Sequence, residues 1–122
     1  LAIIRMHHAS LLVADTARAL AFYHDLLGLP LAERPDLGFP GAWLQVGAQQ
    51  IHLLELPNPD PRSGRPDHVG RDRHLALAVD ELDATITRMQ GAGIPYTRSR
   101  SGRAAVFCRD PAGNGVELIA AS

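Results

Sequence analysis

Three histidines and one glutamate, His8, His52, His74 and Glu117, occupy matching places in two halves of this chain. His8 opens His-Ala-Ser-Leu-Leu-Val-Ala-Asp15 and His74 opens His-Leu-Ala-Leu-Ala-Val-Asp-Glu81, so an acidic residue follows each histidine by seven positions. The two histidines lie 66 residues apart, and His52 and Glu117 lie 65 apart. Imidazole and carboxylate suit Zn, Ni, Co, Fe or Mn, and the set holds no thiolate to draw softer ions. Four such ligands on a divalent ion that favours six positions leave two neighbouring ones free. A small substrate with adjacent oxygens could chelate there, its carbonyl polarised and an enediolate stabilised. Glu117, the one carboxylate of the set, is the candidate catalytic residue that moves a proton. Any one histidine on a strand is commonly structural; four ligand-type residues at equal periods point to one metal.

Residues Ile3 to Val13 read as a buried strand, rich in apolar and β-branched side chains. Asp15 or Thr16 can cap a helix carrying Leu20, Phe22, Tyr23, Leu26 and Leu27 at helical spacing, stopped by Gly28. Short strands are predicted at 29–33, 42–46 and 50–56, with Gly47-Ala48 as the last turn. After a proline-rich linker over 57–73 the order recurs: a strand at 74–79, a helix at about 81–90 closed by Gly91 or Gly93, and strands near 96–99, 104–109 and 115–120. The expected fold is α+β, a single domain over 1–122 built from two βαβββ pseudo-repeats, about 1–56 and 74–122. The repeats are expected to form a cupped, partly closed mixed β-sheet with the helices outside.

Strand alternation sets where the candidates point. Ala9, Leu11 and Val13, like Leu75, Leu77 and Val79, form apolar rows suited to pack under helices. His8 and His74 then face the other way, as do His52, between Ile51 and Leu53, and Glu117, between Val116 and Leu118. By the same parity His7 and Glu55 fall outside the cavity. His24 on the first helix and His68 in the linker read as structural or exposed. Trp43 could line the pocket beside His52, and the loop Ser99-Arg-Ser-Gly-Arg103 could hold a carboxylate or phosphate through Arg103.

Composition narrows the partners. A net charge of −1 gives no reason to expect nucleic acid or an anionic membrane surface, and all twelve basic residues are Arg, which excludes Schiff-base lysine chemistry. No segment approaches the roughly 20 apolar residues of a membrane span. The single cysteine, Cys108, fits a reducing compartment, so a cytoplasmic protein is expected. The chain opens on Leu1 rather than Met, so at least one residue is expected to precede it.

The run His8–Asp15 with Ala21-Phe-Tyr-His-Asp-Leu-Leu-Gly-Leu29, and the run Phe107-Cys-Arg-Asp-Pro-Ala-Gly-Asn-Gly-Val-Glu-Leu118, resemble the helix and last-hairpin signatures of the vicinal oxygen chelate superfamily. That superfamily holds the glyoxalases, fosfomycin and bleomycin resistance proteins, extradiol dioxygenases and methylmalonyl-CoA epimerases. The resemblance spans nearly the whole chain and implies paired βαβββ modules, usually in a homodimer. It also implies a divalent metal on residues matching His8, His52, His74 and Glu117. Among its members, a glyoxalase-like lyase or isomerase fits best, although His52 stands where Glu is commoner. Fosfomycin-modifying enzymes typically carry a basic residue after the glutamate, and none follows Glu117 here. Phe107 stands where an extradiol dioxygenase usually has a catalytic Tyr, which weakens that alternative. A resistance protein that binds a small molecule without turnover is the other one, weakened by the retained ligands and by only six aromatic residues.

Overall fold

The computed structural model describes residues 1–121; Ser122, the last residue of the expected domain, lies outside them. Two compact units divide at Pro59 and Asp60. Each follows the order β-α-β-β-β, so the α+β fold of two βαβββ modules is realised.

In the first unit, β1 (His8–Val13) is followed by α1 (Thr16–Leu20), β2 (Leu31–Ala32), β3 (Gly41–Val46) and β4 (Gln49–Glu55). The Asp15 carboxylate caps α1 by accepting from the Arg18 N–H at 3.1 Å, and Glu55 Oε1 accepts the Thr16 N–H at 2.8 Å. The helix then widens into a π-helical stretch, Ala21–Leu26, which buries the adjacent residues Phe22 and Tyr23. Gly28, at φ 76°, takes the left-handed conformation that ends it. The sheet order is β1-β4-β3-β2, with β1 parallel to β4 and the other pairs antiparallel. Val13, Ala19, Phe22, Tyr23, Leu44, Ile51 and Leu53 form its core.

One expectation fails here. Residues 3–7 are not strand, and Ile3, Ile4 and Met6 are exposed rather than buried. A strand persists only where a neighbour satisfies its backbone, and β4 starts at Gln49, so pairing begins at His8 opposite Gln50. Nor is β1 buried on both faces: it is the sheet's edge, with His8 and Ser10 exposed.

In the second unit, β5 (His74–Val79), α2 (Leu82–Gly91), β6 (Thr97–Arg98), β7 (Ala105–Arg109) and β8 (Gly115–Ala120) repeat the scheme in the order β5-β8-β7-β6. Gly93, at φ 70°, closes α2 as its N–H bonds Gln90 O and Ile94 N–H bonds Met89 O. Ile86 and Met89 from α2 are buried, as are Leu77, Val106, Val116 and Leu118 from the sheet.

The proline-rich segment is tied down from Asp60 onward. It carries a 3₁₀ turn, Val69–Arg71, and an ionic clamp in which Asp72 accepts from Arg65 at 3.2 Å and Arg109 at 2.9 Å. The guanidiniums, Arg109 foremost, hold the Asp72 carboxyl down at about 2. Arg109 also donates to Pro66 O and Gly113 O, fastening this segment to the last hairpin. In that hairpin Asp110 Oδ1 accepts the N–H groups of Ala112 and Asn114, a local side-chain turn.

Candidate metal centre

Strand register builds the same half-site twice. In the first unit Ser10 is the register partner of His52, which places His8, two residues earlier on the same face, diagonally beside it. In the second unit Ala76 partners Glu117, placing His74 in the same diagonal relation. The first half-site is thus His8 with His52, and the second is His74 with Glu117.

In the first half-site the His8 and His52 rings stack at 4.0 Å, and Trp43, the register partner of His52, stacks on the other side at 4.0 Å and 7°. This sandwich buries His52. That burial, then the charges of His8, His7 and Arg34, holds its pKa below the ordinary imidazole value and keeps a nitrogen free of protons. Hydrogen bonds identify which one. Gln45 Nε2 donates to Gly47 O at 2.8 Å, so Gln45 Oε1 accepts from Gln50 Nε2 at 3.0 Å, and Gln50 Oε1 is turned to His52 Nε2 at 2.8 Å. A carbonyl oxygen only accepts, so Nε2 carries the hydrogen and Nδ1 the lone pair. Two stacked rings do not aim their nitrogens at one point, so ligation by both requires the exposed His8 ring to turn. At present its Nδ1 lies 2.9 Å from His7 Nδ1.

The second half-site is tighter. His74 Nδ1 lies 2.9 Å from Asp72 O, an acceptor, so Nδ1 carries a hydrogen and Nε2 is the nitrogen left to face the site. Nε2 stands 3.2 Å from Glu117 Oε1. A hydrogen on Nε2 makes this an ion pair, and a cation held between the two atoms would satisfy both as well. Glu117 is 3 % exposed, and its other oxygen accepts from Arg103 Nη2 at 3.2 Å. Phe107, the register partner of Glu117, meets the His74 ring edge-on at 5.1 Å.

Arg103, expected to bind substrate, is bonded to the Glu117 carboxylate, and Trp43, expected to line the pocket, stacks on His52. Among the described residues no group of three or more His, Cys, Asp and Glu gathers as a ready metal cage; the donors come as two pairs. Cys108 supplies no thiolate, since burial first and Asp110 second push its thiol up to about 12. The donor set, three imidazoles and one buried carboxylate, fits a borderline divalent ion.

Glu55, which parity placed outside the cavity, caps α1, and His24, read as structural or exposed, has Nδ1 2.7 Å from Leu29 O. Sequence reasoning missed Gln50, which orients His52. It read His68, in the linker, as structural or exposed. His68 is buried, with Nδ1 2.7 Å from Thr97 Oγ1 and its ring edge-on to Phe107 at 5.2 Å, and it lines a cavity with His74. Burial, with Arg100 and Arg71 nearby, lowers its pKa.

The family model for the glyoxalase/bleomycin resistance protein/dioxygenase superfamily matches residues 5–118. The chain belongs to that superfamily. It is 32 % identical over 126 residues to the uncharacterized protein YaeR of Escherichia coli K12, covering 93 % of this chain and 94 % of YaeR. It is 29 % identical to a lactoylglutathione lyase of Haemophilus influenzae, covering 92 % and 89 %. A putative glyoxalase family protein from Bacillus anthracis superposes with a TM-score of 0.80 at 22 % identity, over 98 % of this chain and 96 % of that one, and shares the fold. Among the described residues no helix is long and apolar enough to cross a membrane.

Proposed function

We propose that this protein is a metal-dependent enzyme of the glyoxalase type, a lyase or isomerase acting on a small molecule with adjacent oxygens, and that it works as a cytoplasmic homodimer. The approach of His74 Nε2 to the buried Glu117 Oε1 at 3.2 Å carries this proposal, because an imidazole and a carboxylate at that spacing can share a cation and their register is repeated by His8 and His52. His8, His52, His74 and Glu117 would hold the ion, which when bound would polarise a substrate carbonyl as a Lewis acid. The similarity to a lactoylglutathione lyase supports chemistry of this class.

The chain's own residues divide the remaining work. Asp72 O and Gln50 fix which imidazole nitrogens carry lone pairs, and Phe107 and Trp43 pack against the rings of His74 and His52. Arg103 engages Glu117 Oε2, and the Glu117 carboxylate is the group that would take and return a proton. The experiment is elemental analysis of the purified protein, followed by titration with Ni(II), Co(II) and Zn(II). Binding of one ion per four-ligand set, with turnover of the hemithioacetal of methylglyoxal and a thiol abolished by chelator, is the expected result. A protein that takes up none of these three ions, nor Fe(II) or Mn(II), is not a metal enzyme, and a role as a small-molecule binder would replace this one.

A further inference from the structure

Beside His74 lies a cavity of about 320 Å³, lined by His68, Arg71, Ser99, Arg100, Ser101 and Arg103. No acidic residue lines it. Among the described residues the guanidiniums of Arg71 and Arg100 have no hydrogen-bond or ion-pair partner, while that of Arg103 is offset by Glu117. Two uncompensated positive charges therefore border it.

The serine hydroxyls add a donor. The Ser99 and Ser101 hydroxyls lie 2.9 Å apart; Ser99 Oγ accepts the Ser101 N–H and Ser101 Oγ accepts from Arg103 Nε. One hydroxyl hydrogen satisfies the pair, and the second is left over. His68 is 8 % exposed and spends Nδ1 on Thr97, so Nε2 is without a partner among the described residues. The ring lies over Gly70, where a Cβ would stand 2.7 Å from Nε2, so glycine at that position is what admits it.

We propose that this cavity binds a tetrahedral oxyanion of about two negative charges, the phosphate group of a substrate. The assignment builds on the metal-enzyme proposal above and names its substrate class: a small phosphate-bearing molecule whose reacting oxygens reach the ion at His74 and Glu117. A carboxylate is planar and is satisfied by one guanidinium fork. Two free guanidiniums and a hydroxyl arriving from different elements exceed that need and match a phosphate monoester, which carries close to two charges near pH 7. The larger neighbouring cavity, about 410 Å³, also has three arginines, yet Arg65 and Arg109 are bonded to Asp72 and Arg62 to Pro111 O, and the acidic Asp67 lines it, so it suits an anion less well. At about 320 Å³ the site is at the small end of ligand pockets.

The test uses the full chain, stripped of metal with chelator and dialysed, titrated calorimetrically with inorganic phosphate and, separately, with acetate at equal ionic strength. Phosphate is expected to bind at least about 10-fold more tightly than acetate. Arg71→Gln with Arg100→Gln should weaken phosphate about 100-fold or more, because each lost charged hydrogen bond is worth about one to two decades. Arg62→Gln should leave it unchanged. Both arginines are exposed, so folding should survive; if the double variant does not fold, Arg100→Gln alone carries the comparison. Phosphate that binds no better than acetate, or equally well to the arginine variants, overturns the proposal. Metal titrations in phosphate-free buffer keep the two questions apart: loss of metal binding alone fails the enzyme proposal, and loss of phosphate selectivity alone fails this one.

Discussion

Replacing Glu117 by Gln separates the two reasons a buried carboxylate could be there. The side chain is 3 % exposed and an amide nearly matches its shape, so no cavity opens. In the metal-free protein the change removes an ion pair to Arg103, which is 58 % exposed and so worth about 1 kcal/mol at most. It also relieves the cost of burying a charge, so metal-free stability should move by no more than about 1 kcal/mol either way. With metal the outcome differs. At 100 times its Kd an ion stabilises the wild-type protein by about 2.7 kcal/mol. For a chain of this size that raises Tm by roughly 10 °C. Losing a charged ligand should cost at least the roughly 100-fold that removing an outer partner can cost. At the same ion concentration the variant would then gain only about 0.4 kcal/mol, roughly 2 °C. Differential scanning calorimetry with and without Ni(II) reads both effects. An equal metal-induced rise in the two proteins would refute the assignment of Glu117 as a ligand, and a metal-free loss above about 3 kcal/mol would make it a structural charge.

Asp72→Asn should destabilise the protein at neutral pH by roughly 1 kcal/mol, the two-unit depression being worth about 2.5 kcal/mol before solvent screening. Because that carboxyl sits below its ordinary value, the contribution is complete above 3.8 and is lost as pH falls toward about 2. Urea midpoints of the two proteins should therefore converge over that window. Trp43 is the only tryptophan and stacks on His52, so its fluorescence should change on Ni(II) titration of the wild-type protein and stay flat in His52→Ala. An unresponsive Trp43 in a protein shown to bind nickel would remove His52 from the ligand set. Cys108, with its thiol raised to about 12, should resist Ellman's reagent until urea unfolds the chain, and rapid native labelling would contradict its burial.

Much of this architecture was legible in the chain because side-chain period is a local property. The alternation in His74–Val79 and Gly115–Ala120 marks both strands with their observed bounds. The same alternation put His8, His52, His74 and Glu117 on one parity, and the nearly equal offsets of 66 and 65 residues are the register diagonals seen from outside. Gly28 and Gly93 stop their helices because each takes the left-handed conformation that helix ends use.

What only the folded chain decided are matters of long-range partnership. Composition made residues 3–7 a strand, but a strand also needs a neighbour's backbone, and β4 begins too late to provide one. Proline content marked 57–73 as a linker, yet Asp72 meets Arg109 from 37 residues away and secures the segment, bringing His68 to the cavity beside His74. Residue type could name imidazole as a ligand but not which nitrogen bears the lone pair. That is settled by Asp72 O and by the Gly47–Gln45–Gln50 chain, because hydrogen-bond direction depends on which acceptors the fold places within reach.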